Sequence, residues 1–120
     1  MATTIEITPN GPVAVPAPMD PTTVQDIWVA YDAATDGVTV TPDQVPKGTA
    51  VRFLDPAKGK LRIVFLSPSG LETEPVLDSH LCLMVVGGTY HFKCFFTPVG
   101  ATSEISPKYG GVIDVVPQRP

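Results

Sequence analysis

The stretch LCLMVVGGTYHFKCFF, running from Leu81 to Phe96, decides how this chain folds. Residues on either side of Gly87-Gly88 alternate in character, the period of a strand with one buried face. Cys82–Val86 and Thr89–Phe96 therefore read as strands, and the glycine pair between them as a hairpin turn. With a two-residue loop, Val86 faces Thr89, Met84 faces His91 and Cys82 faces Lys93. That register gathers His80, Cys82, Met84 and His91 on one surface and sends Leu81, Leu83, Val85, Tyr90, Phe92 and Cys94 to the core. A three-residue loop would instead set Cys82 opposite Cys94, where a disulfide forms if the Cβ atoms approach within about 4.5 Å. Reduced thiols are favoured, because Met1–Ile7 has neither the basic nor the apolar stretch of a secretion signal.

Outward from this hairpin, short alternating runs recur. Val24–Tyr31, Val38–Thr41, Thr49–Leu54, Leu61–Leu66 and Val112–Val116 read as strands, and Ile5–Ile7 as a shorter one. Asp36-Gly37, Asp43–Lys47, Asp55–Gly59 and Ser67–Gly70 carry turn residues, and a long loop runs from Thr97 to Gly110. Glu72–Leu81 is the one place for a short helix, with Pro75 confined to a first turn. Residues 9–21 hold five of the 14 prolines and read as an extended arm at a sheet edge, since proline cannot donate to a central ladder. The expectation is an all-β, antiparallel Greek-key sandwich over residues 24–120, preceded by a strand and proline-rich arm over residues 1–23.

Composition narrows the function. Hydrophobic residues make up 43% of the 120, enough to build a core, and 14 prolines argue against a helical bundle. The net charge of -4 leaves no basic stripe for nucleic acid; Lys58, Lys60 and Arg62 read as a solvated strand edge. The longest apolar run, Leu81–Val86, is far short of the roughly 20 residues of a membrane span. The compartment stays open, since a cytoplasmic start and removal of a leader fit equally. No nucleophile motif surrounds the serines. His91, three residues from Cys94 in a strand, points to the opposite face and cannot activate its thiol. The expectation is a protein that is not an enzyme.

The second half of the chain resembles the cupredoxins, small sandwiches that carry type 1 copper. The resemblance lies in Val40–Phe53, which contains Pro46-Lys47-Gly48, in Leu61–Phe65, in Gly88–Cys94 with its Gly-x-Tyr-x-Phe-x-Cys spacing, and in Gly110–Pro117. It implies a copper site of two histidines, a cysteine and often a methionine. Cys94 fills the cysteine position. Leu61 stands where the first histidine belongs, Thr97 and Val99 follow the cysteine, and no histidine or methionine occurs after Cys94. The resemblance thus implies the fold with its copper ligands lost and no cofactor.

The functional expectation is a non-catalytic binding or assembly module that engages a protein partner or a second copy, with no nucleic acid and no membrane. Its working surface is expected on the Thr97–Gly110 loop and the adjoining end of the sandwich, through Phe95, Phe96, Thr97, Val99, Thr102 and Tyr109. Two alternatives stand beside it. One is a copper or zinc protein using His80, Cys82, Met84 and His91. The other is an immunoglobulin-like adhesion or sugar-binding module.

Overall fold

The computed structural model of the chain describes residues 4–14 and 24–117. The described residues form eleven strands and no helix. In chain order these are β1 (Thr4–Thr8), β2 (Gly11–Ala14), β3 (Gln25–Asp32), β4 (Gly37–Thr41), β5 (Gln44–Pro46), β6 (Thr49–Leu54), β7 (Lys60–Leu66), β8 (Glu72–Leu77), β9 (Leu81–Met84), β10 (Gly88–Thr97) and β11 (Gly111–Val116). They build a six-stranded sheet, β2-β1-β9-β6-β3-β4, and a five-stranded sheet, β5-β11-β10-β7-β8.

Both sheets are mixed, which corrects the antiparallel expectation. The pairs β1·β9, β3·β6 and β5·β11 are parallel and the remaining pairs antiparallel. The chain changes sheet repeatedly, so strands consecutive in sequence often end up in different layers and strands distant in sequence become neighbours.

Alternation places one face of each sheet in a shared core. Ile7, Ile27, Val29, Val51 and Phe53 from the first sheet meet Ile63, Phe65, Val76, Phe92 and Ile113 from the second, all at 0–1% exposure. Phe53, Phe65 and Phe92 pack with ring centroids 5.5–6.0 Å apart at tilted or edge-on angles, the favoured aromatic geometry. Trp28 points outward from β3.

The expected Gly87-Gly88 hairpin does not form. β9 lies between β1 and β6 in one sheet, whereas β10 lies between β11 and β7 in the other. The glycines carry the chain between layers, and Gly88 does so at φ +146°, a conformation disfavoured for other residues. The stripe Tyr90, Phe92, Cys94 faces the core as expected. On β9 Cys82 and Met84 point inward at 0%; Leu81 is buried as expected, at 6%, whereas Leu83 and the following Val85 are only half-buried.

Glu72–Leu77, expected as the start of a short helix, is the edge strand β8. Asp78 N–H donates to Leu61 O, so alternation turns the backbone groups of Leu77 and Pro75 away from β7. Proline is tolerated there because that direction has no ladder to complete. The proline-rich stretch begins as a turn and then as β2, an edge strand; its residues 15–23 lie outside those described. Gly11, at the start of β2, has φ +110° and sits so close to β8 that a Cβ would meet Thr73 Cβ at 2.7 Å.

Candidate binding site

The end of the sandwich formed by the start of β7 and the last residues of β10 holds the expected working surface. Phe96 and Phe95 are adjacent in β10 and so face opposite ways. Phe96 is 2% exposed. Its ring lies 6.0 Å from that of Tyr31, and it pairs with Leu61 on β7 and Ile105 on the loop. It is a core residue, which corrects its placement on the surface. Phe95 faces outward, half-buried, with the Arg62 guanidinium carbon 4.0 Å above its ring centroid.

Phe95 and Thr97 line a cavity of about 320 Å³ on the outer face of the five-stranded sheet. Leu77 and Asp78 close it from β8 and its turn, Leu61 forms part of its lining, and Lys60, Arg62 and Glu104 bring charge to it. Its volume is at the small end of sites that take ligands or partner side chains. Leu77 is held in place by the following turn. Its N–H donates to His80 Nδ1 at 3.0 Å while His80 N–H donates back to Leu77 O at 3.0 Å. Burial pulls the His80 imidazole below its ordinary 6.5, with the Asp78 charge opposing, which favours the neutral ring this bond requires. Asp78 accepts from Leu61 N–H at 3.1 Å, fixing the other side of the same wall.

Arg62 grips Glu104 with two parallel bonds, Nε at 3.0 Å and Nη2 at 2.8 Å to its two carboxylate oxygens. The fork lowers the Glu104 carboxyl below its usual range. This pair ties the Thr97–Gly110 loop to the sheet face. Ile105 ties it again, exchanging backbone bonds with Phe96 at 2.9 and 2.6 Å. Farther on, Tyr109 N–H donates to Asp36 O, so Tyr109 sits over the β3–β4 turn, with Lys108 Nζ 5.4 Å from its ring centroid. Gly110 then passes so close to β10 that a Cβ would overlap the Phe92 carbonyl.

The structure therefore brings Phe95 and Thr97 together with Leu77, Asp78, Arg62 and Glu104. It leaves Val99 (75% exposed) and Thr102 on the free part of the loop, and Tyr109 (58% exposed) at a separate place beside β4. Sequence reasoning missed Leu77, Asp78 and Glu104 as partners of Phe95. Arg62 and Lys60 did carry a signal, since they alternate with the core residues Leu61 and Ile63 and so had to share the outer face of β7.

The four residues of the metal alternative do not share a surface. Cys82 and Met84 point into the core, whereas His80 and His91 lie at the exterior. Among the described residues no group of three His, Cys, Asp or Glu side chains is placed to hold a metal ion. Both cysteines are free thiols, one on each sheet. Burial pushes each up to about 12, for Cys94 against a weaker opposing bond to the Gly111 backbone. The surroundings of Cys94, where the resemblance expects copper, are apolar; Leu61, Ile63 and Phe96 belong to the same core cluster, with Tyr31 and Ile105 packed against it.

A wider groove of about 830 Å³ runs between β2 and β8. Its hydroxyls are already used: Ser67 Oγ bonds Ser69 Oγ and Leu71 N–H, and Thr73 Oγ1 donates to Phe65 O. It is wider and more open than the cavity beside Phe95.

Fold and site together define an all-β two-sheet sandwich with a cavity of about 320 Å³ on one outer face. No family model, curated protein or solved structure matches the chain.

Proposed function

We propose that this chain is a non-catalytic, cupredoxin-like binding or assembly module that works without type 1 copper and engages a protein partner through the cavity beside Phe95. The observation that carries this reading is the contrast between the two ends of one dipeptide. Phe96, two residues beyond Cys94 on the same face of β10, is sealed in the apolar core against Leu61, Tyr31 and Ile105, while Phe95 turns outward into an open cavity. The Cys94 thiol, raised to about 12 by burial, stays protonated at neutral pH. The two-layer architecture and the repeated passage between sheets support the Greek-key assignment. Long loops on rigid sandwiches commonly carry binding, and here the loop is fastened to the sheet by the Arg62–Glu104 fork at the cavity itself.

Native mass spectrometry combined with copper and zinc titration calorimetry tests the reading. The expected result is chain without stoichiometric metal and no metal binding tighter than about micromolar. One equivalent of copper or zinc bound more tightly would sink it. Partner engagement is tested by a photoreactive cross-linker placed at Thr97. Cross-links to a partner or a second copy that vanish on Phe95→Ala are expected, and cross-links indifferent to that change count against the cavity.

A further inference from the structure

The Arg62–Glu104 pair has the form of a recognition contact satisfied from within. Arg62 presents its planar guanidinium at the cavity, stacked on Phe95, and a carboxylate accepts from its Nε–H and one Nη2–H. That carboxylate comes from an exposed loop residue, and the loop has a separate anchor one residue later in the Ile105–Phe96 bonds. Glu104 can therefore leave the fork by side-chain rotation while the loop stays docked. Asp78, the other acid at the cavity, has its carboxylate engaged by Leu61 N–H. Lys60 lines the same cavity and forms no ion pair with any described residue. With Glu104 displaced, two cations face an apolar hollow walled by Phe95 and Leu77.

We infer that the cavity takes a large apolar side chain of a partner chain whose adjacent carboxylate replaces Glu104 on Arg62, so that Glu104 acts as a built-in competitor. The inference rests on the reading of this face as a protein-binding surface and specifies its partner's chemistry. Exchange of one carboxylate for another leaves the fork satisfied throughout, so an acidic partner meets no cost of stranding a charge, whereas a neutral one would leave Arg62 with Glu104 and gain the hollow alone. Gly70-Leu71-Glu72 of this chain, with Leu71 69% exposed at the far end of the β7–β8 hairpin, has the same apolar–acidic pattern and defines a convenient probe.

The test is a nitrogen-15 NMR titration of the full chain with acetyl-Gly-Leu-Glu-Gly-amide and with its glutamine counterpart. The acidic peptide is expected to move the signals of Leu77, Phe95 and the Arg62 Nε–H, whereas the glutamine peptide moves Leu77 and Phe95 and leaves the Arg62 Nε–H in place. Glu104→Gln should tighten the acidic peptide about fivefold and leave the glutamine peptide unchanged. Arg62→Gln should erase the difference between the two, and a thermal melt of each variant verifies that the fold is kept. Shifts at Leu77 and Phe95 with an Arg62 Nε–H signal that neither peptide moves overturn the carboxylate exchange and leave the cavity as a docking site. Absence of any shift at these residues with either peptide overturns both.

Discussion

Truncating the adjacent phenylalanines of β10 one at a time should separate the core from the working surface. Phe96 is 2% exposed, packed on Tyr31 and bracketed by Leu61 and Ile105. Phe96→Ala removes the full transfer energy of a buried ring and leaves a void, together about 3–5 kcal/mol. Phe95 is half-buried, so Phe95→Ala forfeits part of a ring's burial and the stacked guanidinium, together about 1–1.5 kcal/mol. A 120-residue chain unfolds with an entropy of about 0.25 kcal/mol per kelvin, so 1 kcal/mol is about 4 °C in Tm. Phe96→Ala should then melt about 12–20 °C below the parent and Phe95→Ala about 4–6 °C below it. Thermal melts followed by circular dichroism read both, and Phe96→Leu serves as the milder variant if the alanine form does not fold. The reasoning fails if Phe95→Ala costs as much stability as Phe96→Ala, or if the cross-links at Thr97 persist in the folded Phe95→Ala protein.

Three further outcomes follow from the geometry. His80 is neutral when it accepts from Leu77, and its folded pKa lies below the unfolded 6.5, so the unfolded chain binds more protons in between. Its stabilising share is complete above 6.5 and is lost as pH falls through the folded value; urea midpoints measured between pH 7.5 and 5 should drop, and His80→Asn, which keeps an acceptor but cannot titrate, should flatten that drop. Gly110→Ala drives a Cβ into the Phe92 backbone carbonyl, which no rotamer change relieves, and should cost about 3 kcal/mol or more. Gly48→Ala, at φ +92° but facing open space, should cost about 1 kcal/mol, and equal melts for the two variants would contradict the close approach. With both thiols raised to about 12 and buried, Cys82 and Cys94 should resist thiol reagents at pH 8 until urea unfolds the chain, and rapid labelling of either in the native protein would refute their environment.

Much of the strand pattern was legible because alternation is a local signal. β10 alternates over ten residues, and its buried set Tyr90, Phe92, Cys94 and Phe96 follows from period two alone. The failures share a cause. Gly87-Gly88 has the composition of a hairpin, but the same two glycines serve as well to lead a chain from one layer to the other, and nothing local distinguishes the two. Misplacing that one connection reversed the faces of β9 and put Cys82 and Met84 outside. β8 was obscured by Glu72, Glu74 and Pro75, residues that suit an edge strand for the same reasons they do not resemble a central one. The cavity was half legible. Phe95 and Thr97 emerged from the loop argument, but Glu104 meets Arg62 across 42 residues of sequence, a pairing that depends on how the loop folds back.

The outward edge of β8 bears on how this protein behaves when crowded. At Pro75 it has no N–H to offer, and at Leu77 the N–H is already given to His80. A strand arriving from a neighbouring molecule would find few free donors along this border and no continuous ladder to extend. Copies pressed together at high concentration are thus denied the backbone-to-backbone template that seeds fibrils along this side, and whatever meets the five-stranded sheet here must be chosen by its side chains.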